Sequence, residues 1–237
     1  MAIARERLRA ERSEVVRRAL VDTVAAAAKR DLPTNSWPAL LPFLNECAHS
    51  ADSSHRVAAM ALFAALAESA PAPLSPHFAS LHAVFLRGLQ DTSKDVQLSS
   101  LDACTALIGA RCHVHALLTH SVRAATSAPC SRTQMPQSSH AARAAGMAVQ
   151  DGSNTAALQQ IMEPVLCIIE AAAATGDTAA LTKGVTVLLE AIEASQPLLQ
   201  HCLLRVVAVA GRAAANAQLD LAARGHCSQA RSAASHA

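Results

Sequence analysis

Cys112, His113, His115 and His120 form the densest group of metal-ligating side chain types in the sequence. A structural zinc site needs four well-placed thiolate or imidazole donors. No paired CxxC or HxxxH lies near this group, so the sequence predicts neither metal nor cofactor. Two thiol and imidazole pairs, Cys47 with His49 and His201 with Cys202, have the types for nucleophilic catalysis. Residues one or two apart on a helix do not face each other, and a base must reach its nucleophile through a hydrogen bond. The motifs GxxxxGK[ST], GxSxG and HExxH are absent, so no catalytic residue is assigned and no enzyme is expected. What remains is charge suited to binding: Arg17, Arg18 and Arg56 for an acidic partner, Glu190 and Glu193 for a basic one. The same arginines have a second reading, as structural donors to carboxylates or carbonyls of neighbouring turns.

These charges need a frame. Apolar residues make up 51% of the 237 and aromatics only 2%, with alanine supplying much of the apolar share. Alanine is the strongest helix former, whereas strands favour β-branched and aromatic residues, so the fold class expected is all-α. A buried alanine contributes about 0.8 kcal/mol, so cohesion must be spread over many close helix contacts.

The chain repeats. Ser13-Glu-Val-Val-Arg17 aligns with Asp52-Ser-Ser-His-Arg56 at an offset of 39, and Asp91-Thr-Ser-Lys-Asp-Val96 follows at the same offset. Asp177-Thr-Ala-Ala-Leu181 comes 86 residues later, about two periods. Each turn carries Ser or Asp, whose side-chain oxygen accepts a hydrogen bond from the first turn of the helix that follows. Candidate first helices precede the later turns at Trp37 to Ala48, Ser75 to Leu89 and Thr155 to Ala173. Pro197 to Ala215 reads as a further first helix with a truncated partner. Paired helices at this period predict a HEAT-repeat α-solenoid of the armadillo type, a superhelix of antiparallel pairs.

Residues 111 to 150 lack acidic side chains and a steady helical period. The expected organisation is therefore helical repeats over 1–110, a low-complexity disordered insertion over 111–154, repeats again over 155–221, and a frayed tail over 222–237. Within the insertion, Val114 to Val122 is the one short helix expected. Glu163 and Glu170 interrupt the apolar stretch Ile161 to Ala174, so no membrane span is expected and the chain is read as soluble. The net charge of +2 and the shortage of aromatics argue against nucleic-acid binding. Seven cysteines without regular spacing suit reduced thiols in a cytosolic or nuclear protein.

Asn35-Ser-Trp-Pro-Ala-Leu-Leu-Pro-Phe-Leu44 lies between Val16-Arg-Arg-Ala-Leu-Val-Asp-Thr-Val-Ala25 and Asn45-Glu-Cys-Ala-His-Ser50. Together they resemble the third repeat and its successor in importin-β-family nuclear transport receptors, nearest to the karyopherin-β3 kind that includes importin-4 and importin-5. Leu181-Thr-Lys-Gly-Val-Thr-Val-Leu-Leu-Glu190 and Ala194-Ser-Gln-Pro-Leu-Leu199 resemble the family's Leu-Lys and Ala-Thr-Pro stretch. The resemblance covers most of 13 to 110 and 155 to 221. It implies a receptor that shuttles between cytoplasm and nucleus. Its implied partners are cargo proteins with nuclear localisation signals, nuclear pore proteins and the Ran GTPase, which forces cargo release. It also implies a fragment running from about the third to the sixth repeat. The alternative is a HEAT scaffold or adaptor subunit of a phosphatase or trafficking complex.

Overall fold

A computed structural model describes residues 13–31, 37–69, 74, 78–109, 137–194, 199–216, 219 and 221–236. The described residues form nine helices and no strand: α1 (Glu14–Asp31), α2 (Leu40–Ala48), α3 (Ser53–Ser69), α4 (Phe78–Leu89), α5 (residues 94–109), α6 (Gln137–Thr175), α7 (Thr178–Ala194), α8 (Leu203–Ala215) and α9 (Leu221–His236). Helices α2 and α3, α6 and α7, and α8 and α9 pack as successive pairs. Between pairs, α1 rests on α3, α4 on α2, α3 and α6, α8 on α6, and α9 on α7. First helices thus line one side and second helices the other. This is the all-α solenoid the period predicted.

Sequence pattern decides which face each helix buries. In α2 the buried residues are Leu40, Phe43, Leu44, Cys47 and Ala48, spaced to make one stripe on a 3.6-residue turn. Helix α6 repeats the stripe with Leu158, Ile161, Met162, Val165, Leu166, Ile169 and Ala172. Close approach does the rest: a Cβ at Gly184 of α7 would lie 2.5 Å from Ile169 Cγ1. Only hydrogen fits there, which lets the two backbones of this pair close up.

The turns form a ladder. Asp52 Oδ1 accepts from the amide of Ser54 at 2.9 Å, Asp91 Oδ1 from that of Ser93 at 2.8 Å, and Asp177 Oδ1 from that of Ala180 at 3.3 Å. Gly176, at φ +73°, supplies the left-handed step that ends α6 before Asp177. The carboxylates of Asp91 and Asp177 also meet a cation from the preceding repeat. Arg56 grips Asp91 with two bonds, Nε to Oδ2 at 2.7 Å and Nη2 to Oδ1 at 2.9 Å, and its Nη1 donates to the carbonyls of Ser50 and Ala51. Lys94 Nζ reaches Asp177 Oδ2 at 2.7 Å. The Arg56 hydrogen bonds hold Asp91 below the usual carboxylate range, and the Lys94 bond does the same for Asp177.

Several sequence expectations need correction. Helix α6 starts at Gln137, inside the stretch composition assigned to a disordered insertion, and runs unbroken to Thr175. Alanine propensity carries the helix where apolar periodicity gives no signal. The rest of that stretch, with Cys112, His113, His115, His120 and the helix expected over Val114 to Val122, lies outside the described residues. The tail expected to fray is helix α9, which supplies the partner that α8 was expected to lack. Its buried face is Ala223, Cys227, Ala230 and Ala234, residues so small that the stripe barely registers in the sequence. Finally, Ala156–Thr175 is long and apolar enough to cross a membrane by length and composition, despite Glu163 and Glu170. Its apolar stripe is spent on α4, α7 and α8. That is the pattern of a repeat's core helix.

His82 marks the seam between α4 and α6. The imidazole donates to the backbone carbonyl of Ala157, and its Nε2 is buried without a hydrogen-bond partner. Burial holds its pKa below the ordinary 6.5. The unfolded chain therefore takes up this proton first as pH falls, so stability is lost as pH drops through about 6.5 toward the folded-state value. Melting temperatures between pH 7.5 and 5.5 should decline in the parent chain, and His82→Gln should flatten that decline. Equal slopes in the two proteins would show that His82 does not contribute.

Candidate functional site

The second helices of successive repeats turn one face toward a shared groove of about 540 Å³. Its walls come from α1, α3, α5 and α7. Arg17 and Arg18 stand at one end, Ser53, Ser54, Val57 and Ala61 along the floor, and Asp95, Asp102 and Lys183 at the other end. The helical period sets this arrangement, because the buried stripe of each helix leaves its polar stripe on the groove side. Arg18 and Asp95 are exposed, whereas Arg17 is half-buried. Lys183 forms an ion pair with both carboxylate oxygens of Asp102 across α5 and α7. Solvent reaches both partners, so the pair contributes no more than about 1 kcal/mol.

The five charged residues singled out in the sequence divide. Arg17 and Arg18 line the groove together. Arg56 does not: its side chain is 13% exposed and its donors are occupied by Asp91 and the turn carbonyls. The structural reading of this residue is the one its geometry supports. Glu190 is half-buried, with Oε2 3.3 Å from where a Cβ of Gly109 would stand, and Glu193 is exposed on α7. Neither belongs to the groove lining around Arg17 and Arg18. Sequence reasoning missed Asp102 and Lys183, which are 81 positions apart and carry no motif. Only the position of each on the polar stripe of a second helix pointed to the groove.

Among the described residues four of the five thiols are buried, and the fifth, Cys167, is exposed with Arg205 Nη2 3.5 Å from its sulfur. The buried four are Cys47, Cys104, Cys202 and Cys227. Burial pushes the Cys104 thiol up to about 12 and raises those of Cys202 and Cys227. A thiol held protonated is a poor nucleophile. His49 Nδ1 lies 2.7 Å from the carbonyl oxygen of Asn45, one turn back on its own helix. Among the described residues no group of three or more His, Cys, Asp or Glu side chains is placed to hold a metal ion.

A groove lined by successive second helices defines a class: helical-repeat proteins that bind other macromolecules along an extended surface. Comparison with known proteins is consistent with that class. Residues 12–126 match the family model described as IPO5-like, TPR repeats. A probable importin-5 homolog from Dictyostelium discoideum is 28% identical over 105 residues, which is 44% of this chain and 10% of that protein. The chain therefore spans about a tenth of the length of the curated relative it matches. Over these spans the chain is similar to importin-5-like repeat proteins. Every groove residue named above except Lys183 falls within the matched span.

Proposed function

We propose that this chain is a protein-binding segment of a nuclear import receptor, of the importin-4 and importin-5 type. In this reading the receptor carries proteins bearing nuclear localisation signals through the pore under control of the Ran GTPase. It shuttles between cytoplasm and nucleus, contacts nuclear pore proteins, and neither binds nucleic acid nor inserts into membranes. The observation that carries the reading is the coincidence of two things: the importin-5-like match over residues 12–126, and the groove that the helices of that span build. Arg17 and Arg18 at one end and the carboxylates of Asp95 and Asp102 at the other give a partner both signs of charge to meet. Glu190 and Glu193, on α7 but outside the groove lining, offer a basic partner a separate acidic contact.

The test is binding by the 237-residue chain, immobilised and exposed to Ran loaded with a non-hydrolysable GTP analogue or with GDP. Preference for the GTP form by about tenfold or more, equivalent to about 1.4 kcal/mol, is the expected result. Arg17→Glu combined with Arg18→Glu should alter capture of a cargo protein bearing a basic localisation signal. Indifference to the nucleotide, together with no change in cargo capture on charge reversal, would overturn the reading.

A further inference from the structure

The last helix pair carries charge of one sign. Helices α8 and α9 hold four arginines, Arg205, Arg212, Arg224 and Arg231, and neither Asp, Glu nor Lys. Residues 194–237 contain one acid, Asp220. The inner side of α8 shows what such a helix packs against. Arg205 pairs with Glu163 and, at 3.2 Å, with Glu170 of α6, and Arg212 Nη2 reaches Glu170 Oε1 at 3.0 Å. This joint is an acidic helix laid against a basic one. The arginines of α9 lack that cover: among the described residues no carboxylate pairs with Arg224 or Arg231, and the buried Nε of Arg224 has no acceptor. Apolar surface is open on the same pair. Leu204 is 89% and Leu221 78% exposed, and the other large apolar side chains left exposed among the described residues, Val15 and Val16, stand on α1 at the start of the stack. Leu204, Ala208, Arg212 and Ala215 are all exposed, and their spacing puts them on one stripe of α8. On α9 a Cβ at Gly225 would meet nothing within 4 Å.

We propose that the outer face of the α8–α9 pair is a docking surface for an amphipathic α-helix of a partner protein, one whose apolar stripe is flanked by carboxylates. Leu204 opens α8 and Leu221 opens α9, and the short connection between the helices makes the pair antiparallel, so the two leucines mark its opposite ends. A helix of about 18 residues, about 27 Å long, spans both. Ala208, Ala215 and Gly225 have no long side chain to hold it away. Carboxylates on the partner meet Arg224 and Arg231 as Glu163 and Glu170 meet Arg205 and Arg212 on the inner side. A second copy of this chain fits less well, because Val15 and Val16 of α1 stand beside Arg17 and Arg18, which would set arginine against arginine. Nucleic acid fits less well too, since residues 199–237 contain neither lysine nor an aromatic residue for base stacking. The face lies beyond residues 12–126 and shares no residue with the groove, so it does not rest on the import reading.

Fluorescence anisotropy with the full 237-residue chain and a labelled synthetic peptide tests this. The probe is a helix of about 18 residues with leucine at every third and fourth position and glutamate on the flanks. A second peptide has lysine for each glutamate. The parent chain should bind the glutamate peptide about tenfold more tightly than the lysine peptide, and added salt should weaken that binding severalfold. Leu204→Ser combined with Arg231→Glu, both at exposed positions, should weaken it by about tenfold while the melting temperature stays within about 2 °C of the parent's. Arg231→Glu alone should weaken it by about threefold. Arg17→Glu combined with Arg18→Glu should leave it unchanged. Equal binding of the two peptides, no measurable binding of either, or a loss on the groove variant but not on the α8–α9 variants would each overturn the proposal. So would tighter binding of a single-stranded oligonucleotide or of phosphatidylserine vesicles than of the glutamate peptide. A dimer in analytical ultracentrifugation that Leu204→Ser dissolves would give the face to a second copy instead.

Discussion

Asp91→Ala is expected to destabilise the chain by about 3–5 kcal/mol, because it leaves a largely buried guanidinium without its carboxylate. Both oxygens of Asp91 are used by Arg56, and Oδ1 also accepts the amide of Ser93 at the entry to α5. The alanine therefore removes a charge partner and a turn bond in one step. Urea unfolding followed by far-ultraviolet circular dichroism measures the loss. A double-mutant cycle separates its parts. Arg56→Met with Asp91→Ala should recover much of the single-variant loss, since an apolar pair avoids the stranded charge, whereas the Ser93 turn bond stays missing. The acid side gives a second check. Arg56 holds Asp91 below its ordinary 3.8, so the pair's stability is present above that value and is lost as pH falls through it toward the folded-state pKa. Asp91→Ala should show a shallower loss between pH 4 and pH 2 than the parent chain. A destabilisation below about 1 kcal/mol would mean that the ladder is ornamental and that the core alone joins the repeats.

The ladder also shows what the sequence does and does not disclose. Its turns were legible, because Asp52, Asp91 and Asp177 are capping residues at regular places ahead of helix-period runs. The solenoid followed from them. The partner of each carboxylate was half legible: Arg56 stood at the right step, but nothing local distinguished a structural donor from a groove residue until Asp91 was seen against it. Boundaries failed where the side chains are small. Ala223, Ala230 and Ala234 of α9 are buried about as fully as Leu40 and Leu44 of α2, yet alanine scores the same on a buried face and an exposed one. The same property hid the start of α6 at Gln137. The groove was the least legible feature. Its Asp102 and Lys183 come together only because two second helices from different repeats lie side by side, and no spacing within one helix encodes that.

Phe85→Ala should cost about 3–5 kcal/mol, and the way the loss is distributed matters as much as its size. The sequence holds only four phenylalanines and one tryptophan, and Phe43, Phe63, Phe85 and Trp37 sit in a described core otherwise filled by aliphatic and small residues. Phe63 and Phe85 are 2% and 1% exposed, and they bridge α3 of one repeat and α4 of the next. Truncation leaves a cavity that alanine-rich neighbours cannot fill, because a methyl group has no rotamer with which to reach inward. In a solenoid, stability is a sum of repeat terms and nearest-neighbour interface terms, so damage to one interface weakens cooperativity across that joint. Guanidinium unfolding of Phe85→Ala should accordingly show a broader transition with a lower slope as well as an earlier midpoint. Leu188→Ala, a core truncation within the α6–α7 repeat, should move the midpoint with less broadening, since it weakens a unit and leaves that joint intact. If the two variants broaden alike, the repeats do not unfold as separable units. Phe85→Leu keeps most of the volume and should restore more than half of the loss. That recovery would assign the effect to filled space rather than to the edge-to-face ring geometry, which by itself contributes about 0.5–1.5 kcal/mol.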